Sequence, residues 1–288
     1  MHLLFASWSL VILHALLILL IAQGNSARKI PIANGNEDHL LLTTHDHDHS
    51  SYPSSSHMNH MDDPALNVFF NPEDLRLGKT MPIYFSKKDP SLSPKLLPKQ
   101  EADSIPFSIS NLPYLLEFFS FPQDSPQAKA IAYTLTQCDL EPTKGESKFC
   151  ATSLESMLDF ASAQFGSNTQ LKVLTTSPLS NSATLLQNYT VLEPPKEILA
   201  PRMIACHTMP YPYAVFYCHS QESENWLYQV FLGGENGERI DAAAVCHMDT
   251  SQWDRSHVAF QVLGAEPGTS PVCHFFPSDN LGWVPFPT

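Results

Sequence analysis

Short apolar runs separated by turn residues dominate the chain from about residue 170 to its end. The runs are rich in β-branched and aromatic residues, a composition typical of strands. They are LKVLTTS, TLLQNYTVLE, RMIACHTM, YAVFYCHS, NWLYQVFLG, IDAAAVCHM, HVAFQVLG and VCHFFP. The GGENG sequence at 233–237 predicts a hairpin turn between two of these strands.

The region from about 65 to 166 mixes short strands with two clearer helices. Ser125 is placed to cap the first helix, Pro126 to occupy its first turn, and the run ends near Cys138. The second helix follows Cys150. A Cys138–Cys150 disulfide would pin the connection and contribute about 3 kcal/mol to stability on loop-closure arguments. We favour this pairing.

The second helix has clear predicted limits. Thr152 and Glu155 form a capping box, and Gly166 supplies a C-terminal stop. Apolar residues at helical spacing predict one buried face, consisting of Leu154, Met157, Leu158, Ala161 and Phe165. Together, the strands and helices predict an α+β fold, a sheet-rich domain with helices packed at one end.

The N-terminus has the pattern of a secretory signal. Its apolar segment runs from about Leu10 to Ala22, which is short for a transmembrane span. Ala22 and Gly24 predict cleavage after Gly24 and a signal peptide over 1–24, although cleavage after Ala27 fits nearly as well. No Lys or Arg precedes the apolar segment, so an uncleaved anchor is the alternative. After cleavage, we expect no membrane association.

Residues 25–64 are rich in His, Ser and acidic residues, and we expect them to be disordered because they can bury little apolar surface. The segment is either a weak metal-binding tail or a solvated linker. Its six histidines are His39, His45, His47, His49, His57 and His60.

The net charge and the number of cysteines indicate which classes of partner and which cellular compartment fit the chain. The net charge of −13 argues against nucleic acids and anionic membranes. In a secreted chain, an even number of cysteines predicts disulfides. The cysteines are Cys138, Cys150, Cys206, Cys218, Cys246 and Cys273. Asn188 in QNYT is a predicted N-glycosylation acceptor, which fits the same compartment.

Four of the cysteines are each followed directly by a histidine, in the series CH-x10-CH-x26-CH-x25-CH. Neighbouring residues of a strand point to opposite faces, so a Cys and its His can hardly serve one metal ion together. If the four strands share a sheet, the cysteines could meet on one face and the histidines on the other.

A cluster of neutral imidazoles in an oxidising compartment suits copper, with zinc or nickel as competitors. Zinc-finger spacings do not occur in the chain. The alternative is that each histidine is a hydrogen-bonded structural group. Asp249 could orient His247, and His257 could be a supplementary ligand or general base, although a structural role is favoured for His257.

The sequence resembles the plant BURP-domain proteins over about 65–288. The resemblance rests on the FF pair at Phe69-Phe70, on Cys138 and Cys150, and on the CH series. It is nearest to the unknown-seed-protein-like branch, whose members carry a signal peptide and a short hydrophilic segment. The resemblance implies a secreted or vacuolar protein associated with cell walls, seed development or stress. It also implies four candidate copper ligands, His207, His219, His247 and His274.

Several BURP proteins are copper-dependent enzymes that cross-link Tyr or Trp side chains in peptides fused to their own N-terminus. Here 25–64 contains no Trp and a single Tyr, Tyr52, which weakens that expectation. Hydrolase and nucleotide-binding motifs do not occur in the chain. Three hypotheses remain: a copper oxidoreductase acting on a peptide substrate, a non-catalytic protein associated with cell-wall polysaccharide such as pectin, and a metal-storage protein.

Overall fold

The computed structural model covers one chain, and its described residues are 68–85, 93–142, 144–179, 184–200 and 202–286. The predicted signal peptide and the His-rich segment lie outside the described residues. Within those ranges the chain forms five α-helices. They are α1 (Lys99–Ala102), α2 (Leu112–Phe119), α3 (Pro126–Asp139), α4 (Leu154–Phe165) and α5 (Val258–Leu263). Among the described residues, no helix combines the length and apolar character needed to cross a membrane.

The described strands form two antiparallel sheets. The larger contains β1 (Phe69–Phe70), β2 (Thr80–Tyr84), β5 (Ser177–Pro178), β6 (Leu186–Val191), β7 (Lys196–Ile198), β10 (Asn225–Gly234), β11 (Arg239–His247) and β12 (Val272–Phe275). Its central order is β1-β12-β11-β10-β6-β2, with β5 beside β11 and β7 beside β10. The smaller contains β3 (Glu146–Ala151), β4 (Leu171–Leu174), β8 (Ile204–Met209), β9 (Val215–Gln221) and β13 (Leu281–Pro285), in the order β3-β9-β8-β13-β4. The predicted α+β, disulfide-stapled class is confirmed.

The predicted GGENG turn joins β10 to β11. Gly237 adopts a φ of 86°, and its N–H donates to the Gly234 carbonyl at 2.9 Å. A side chain would be strained at that φ, which is why a glycine suits the position. The turn sets the register in which Asn225 lies opposite His247.

The two sheets pack against each other through an apolar layer that takes residues from both. Ala205 of β8 and Val284 of β13 contribute from the smaller sheet, and Ala243 and Val245 of β11 contribute from the larger. Alternate residues of the same strands point the other way. On the smaller sheet, that outer face is covered by Met157 and other residues of α4.

The run at 257–264, predicted as a strand, is instead the helix α5. Its apolar residues fit the periodicity of a strand as well as that of a helix. The residues at its two ends make it a helix. The Ala259 N–H donates to Nδ1 of His257, which caps the helix, and Gly264 closes it with a φ of 62°. Histidine is not a usual cap, so the local sequence did not signal a helix. The strand β13 was also missed.

The helix α4 lies where predicted, but two details differ. Ser153, one residue after the predicted Thr152, is the cap. Its Oγ accepts from the Ser156 N–H at 3.1 Å, and the Oγ of Ser156 accepts from the Ser153 N–H at 3.2 Å. The predicted buried face is also partly wrong, because Leu154 and Leu158 are 42% and 38% exposed.

Met157 and Ala161 form the buried face of α4, as predicted. Phe160 stacks on Phe149 of β3 at a centroid distance of 5.5 Å. Because of this contact, the buried face of α4 includes the side of the helix that carries Phe160. Leu154 and Leu158 lie at the edge of that face.

The capping assignment can be tested by substitution. Ser153→Ala should lower the free energy of unfolding by about 1–2 kcal/mol, because it removes the acceptor for a buried backbone N–H. Urea unfolding with intact disulfides measures the change. Thr152→Ala is the matched control and should change stability by less than about 0.5 kcal/mol. A larger loss for Thr152→Ala than for Ser153→Ala would contradict the assignment.

Candidate functional site

Two disulfides each join directly opposed residues of neighbouring strands. Cys206 of β8 faces Cys218 of β9, and Cys246 of β11 faces Cys273 of β12. All four side chains are fully buried. Because side chains alternate along a strand, the histidine after each cysteine lies on the opposite face from the disulfide. Each disulfide therefore holds two histidines side by side.

The two Cys-His strand pairs belong to different sheets, which corrects the single-sheet expectation. The strands β8 and β9 lie in the smaller sheet, and β11 and β12 lie in the larger. The cysteines consequently form two separate staples in two separate apolar clusters. The histidine-bearing faces are the ones that meet between the sheets.

All five histidines of the described residues line one cavity of about 80 Å³. Four are the histidines of the CH series, and the fifth precedes α5. They are His207, His219, His247, His257 and His274. Apolar and aromatic residues complete the wall, among them Phe69, Met209, Tyr217 and Trp253. The sequence thus predicted four of these imidazoles as ligands and named His257 as a supplementary candidate, and the structure brings all five to a shared cavity.

In the smaller sheet, Nε2 of His207 and Nε2 of His219 are 3.3 Å apart. Behind His219, its Nδ1 lies 2.9 Å from a carboxylate oxygen of Glu146, whose side chain is only 3% exposed. Behind His207, its Nδ1 lies 2.8 Å from Nδ2 of Asn280. Both rings are therefore held from outside the cavity.

In the larger sheet, the rings of His247 and His274 stack with centroids 5.6 Å apart. Nδ1 of His247 lies 2.7 Å from Oδ1 of Asn225, its cross-strand neighbour. Nδ1 of His274 lies 3.3 Å from the backbone carbonyl oxygen of Phe275. These contacts again fix the outer edge of each ring.

Asp249 does not orient His247. Its carboxylate accepts from the Ser251 N–H at 2.9 Å, and the lowered pKa of Asp249 reflects its hydrogen bonds to Ser251. Asn225 holds His247 instead. The hairpin turn could have revealed this partner, since counting outward from GGENG pairs 225 with 247. Glu146 and Asn280 come from distant strand and loop positions and carry no local signal.

His257 is buried between aromatic rings rather than standing in solvent. Its ring lies 4.7 Å from Trp253 and 6.1 Å from Phe69, measured between centroids. Trp253 in turn contacts His247 at 4.9 Å. The structural role favoured from the sequence is present, because His257 caps α5.

Burial in the cavity favours the neutral forms of His247 and His274. Burial, followed by the neighbouring imidazole of His274, holds the pKa of His247 well below its usual range. Burial also lowers the pKa of His274 to about 4; the Phe275 carbonyl opposes this shift, and His219 adds to it. At neutral pH, these nitrogens are therefore uncharged and can offer lone pairs to a metal ion.

The family model of the BURP domain matches residues 68–285. The chain belongs to the BURP-domain family. It is 50% identical over 228 residues to the BURP domain protein USPL1 of Arabidopsis thaliana, an alignment covering 77% of this chain and 81% of the relative. The BURP domain-containing protein BNM2A of Brassica napus shows the same identity and coverage.

A more distant relative is the BURP domain protein RD22 of Arabidopsis thaliana, which is 37% identical over 226 residues, covering 78% of this chain and 57% of the relative. The resemblance inferred from the sequence, to plant BURP-domain proteins of the unknown-seed-protein-like branch, is confirmed.

The described histidines of the BURP domain share a cavity without converging on one point. Across the residues that the structure describes, no three His, Cys, Asp or Glu side chains are arranged so as to hold one ion. Holding a metal ion would require the rings to draw together. Their donor chemistry does fit, because neutral imidazoles backed by fixed polar groups are typical metal ligands.

The remaining predicted site residues do not line the cavity. Cys138 at the end of α3 pairs with Cys150 of β3, the pairing favoured from the sequence. With it, the disulfides of the described residues account for all six cysteines of the sequence. Asn188 is exposed on β6, where its Nδ2 donates to Glu235 at 2.9 Å. Its glycosylation stays a prediction.

The low pKa of His274 predicts how the stability of the metal-free protein depends on pH. The folded value of about 4 lies below the unfolded value of 6.5, so the unfolded state takes up the proton first as the pH falls. Stability should therefore decrease between pH 6.5 and about 4, by up to about 3 kcal/mol from this group, and no further below that window.

Urea unfolding of metal-free protein across this pH window, with disulfides intact, measures the effect. His274→Gln cannot titrate and should show a smaller decrease over the same window. An equal decrease in the variant and the unsubstituted protein would contradict the assignment to His274.

Proposed function

We propose that this BURP-domain protein binds copper in the cavity between its two sheets and acts without hydrolytic chemistry. The observation that carries the proposal is that all five described histidines line one cavity. Five imidazoles from four strands and a helix cap would not be expected to line one cavity if each had only a separate structural role. Binding of a ligand that needs nitrogen donors would explain why they lie together.

The arrangement around His219 supports a metal ion in particular. Histidines that bind metals usually donate their other ring N–H to a carboxylate or carbonyl oxygen, which fixes the ring and raises its basicity. The buried carboxylate of Glu146 stands in that position behind His219. Imidazole donors suit copper, and zinc or nickel compete for such sites.

Bound copper would supply one-electron redox chemistry to the cavity. Glu146 and Asn225 would keep the imidazoles oriented, and Trp253 and Phe69 would limit the access of water. Trp253 also contacts His247, whose burial favours the neutral form of that ring.

We place the protein in the secretory pathway, at the cell wall or in a vacuole. The three disulfides among the described residues support an oxidising compartment. The resemblance to the unknown-seed-protein-like branch supports a role in seed development or stress. A peptide or a cell-wall polysaccharide is the partner class that the family suggests.

Copper stoichiometry tests the proposal. We expect the purified protein to retain a single copper equivalent after desalting, and a variant lacking 39–60 to retain it as well. The double variant His247→Ala/His274→Ala should lose it, because it removes the stacked donors of the larger sheet. Elemental analysis gives the copper content, and circular dichroism verifies folding.

Two results would contradict the proposal. Copper that disappears with 39–60 would assign binding to the His-rich segment and support the storage hypothesis. No bound copper, together with retention on pectin, would support the non-catalytic cell-wall hypothesis.

Mass spectrometry tests the peptide-cyclase alternative on the same preparation. We expect the mass to remain unchanged after incubation with copper and oxygen, because 25–64 offers Tyr52 alone as an aromatic substrate. A loss of two hydrogens, abolished by His247→Ala/His274→Ala, would show that the protein cross-links its own chain.

A further inference from the structure

The three disulfides of the described residues differ in their exposure to solvent. The four cysteines of the CH series are fully buried within apolar clusters. By contrast, Cys138 and Cys150 are each partly exposed. A thiol must reach a disulfide sulfur directly in order to react with it, so the rate of exchange depends on access. The Cys138–Cys150 disulfide is therefore the one that a thiol reagent can approach in the folded protein.

The same disulfide also differs from the other two in the elements that it joins. Each buried disulfide links neighbouring strands that are already paired in register. The Cys138–Cys150 disulfide instead links the last turn of α3 to β3, the strand at the edge of the smaller sheet. Helix ends open more readily than strands in the interior of a sheet. Its position thus favours local opening of this disulfide.

The residues beside this disulfide belong to the wall of the histidine cavity. On α3, Tyr133 and Gln137 line the cavity, and Gln137 directly precedes Cys138. On the smaller sheet, Tyr217 of β9 lines the cavity and lies opposite Cys150 of β3. The disulfide therefore fastens the part of the wall that α3 supplies to the part that the smaller sheet supplies.

Lys148 provides a second link between the same two elements. Its Nζ donates to the backbone carbonyl oxygen of Gln137 at 2.9 Å and lies 5.5 Å from the ring centroid of Tyr217. A hydrogen bond from a partly exposed side chain contributes little compared with a covalent bond. Lys148 would thus hold the end of α3 near β3 less firmly than the disulfide does.

The rest of α3 is anchored without this disulfide. Ile131 and Leu135 are buried in an apolar cluster with residues of α2. At the helix end, the carboxylate of Asp139 accepts from the Ile109 N–H at 3.0 Å. Breaking the disulfide would therefore separate the end of α3 from β3 while the domain stays folded.

A dithiol supplies the chemistry for this opening. One thiolate of the reagent attacks a sulfur of the Cys138–Cys150 pair, and the other cysteine leaves as a thiolate. The second thiol of the reagent then displaces the first cysteine. The protein gains two electrons and two protons as two thiols, and the reagent becomes a disulfide.

We propose that Cys138–Cys150 is a thiol-exchange site that a small dithiol opens in the folded protein, and that its opening widens the cavity on the side of α3. The two buried disulfides stay closed and keep the histidine pairs in register. The site thus controls access to the cavity without changing the strands that form it. The proposal is independent of copper, because it concerns entry to the cavity and not what the cavity binds.

Limited reduction of the full-length, folded protein tests the exchange site. The protein is incubated with dithiothreitol without denaturant, free thiols are alkylated, and mass spectrometry of peptides locates the alkylated cysteines. We expect Cys138 and Cys150 to be alkylated at least about tenfold faster than the cysteines of the CH series. Equal rates for the three pairs, or earlier alkylation of the CH series, would overturn the proposal.

Modification of His219 by diethyl pyrocarbonate tests the widening of the cavity. This reagent acylates unprotonated imidazoles, and His219 lines the cavity on the strand next to β3. Its modification should be several-fold faster after limited reduction. Cys138→Ser/Cys150→Ser should show the faster rate without dithiol and no further increase with it.

An unchanged rate of His219 modification after limited reduction would overturn the widening, even if the disulfide itself exchanges. Circular dichroism verifies that the reduced protein and the double variant are folded. If the double variant does not fold, the comparison of oxidised and reduced unsubstituted protein still decides the outcome.

Lys148→Met tests the second link. In the reduced protein, this variant should increase the modification rate of His219 further, because it removes the hydrogen bond to Gln137. Lys129→Met is the matched control, since it removes the same charge from an exposed position of α3 and should leave the rate unchanged. Equal increases in both variants would mean that charge alone is responsible, and would overturn the role of Lys148.

Discussion

The cavity depends on one geometric constraint, the alternation of side chains along antiparallel strands that are locked in register by disulfides. When Cys206 is bonded to Cys218, the residues that follow them must emerge together on the opposite face. The bond between Cys246 and Cys273 does the same on the second sheet. Packing of the two sheets through Val245 and its neighbours then brings the two histidine pairs together.

Much of this architecture could be predicted from local sequence, since strand alternation, the hairpin turn and the α3 cap depend on residues close in the chain. The assignment of strands to two sheets could not, because it is set by long-range pairing, such as that of β8 with β13. The helix α5 was missed because its apolar run fits both periods and its cap, His257, is an unusual one. In α4, the stacking of Phe160 on Phe149, a tertiary contact, decided which leucines were exposed.

The candidate site shows the same division. The CH series revealed which imidazoles gather, because its information lies in adjacent residues. It could not reveal which groups orient each imidazole, because those partners are distant in sequence: Glu146 lies 73 positions from His219, and Asn280 lies 73 positions from His207. Asn225 was within reach of sequence reasoning through the hairpin register. A repeated Cys-His pair therefore does not imply that its histidines have equivalent surroundings.

The register of β8 and β9 limits the length of the segment between their two Cys-His pairs. Met209 lies opposite Val215, so five residues connect the strands. An extra residue inserted within either strand would turn the side chains that follow it to the other face of the sheet. The segment between Cys246 and Cys273 contains α5 and its flanking loops, which can lengthen without shifting either strand. The ten-residue interval is thus fixed by strand geometry, whereas the 25-residue interval between His247 and Cys273 includes a helix and loops whose length the sheet does not fix.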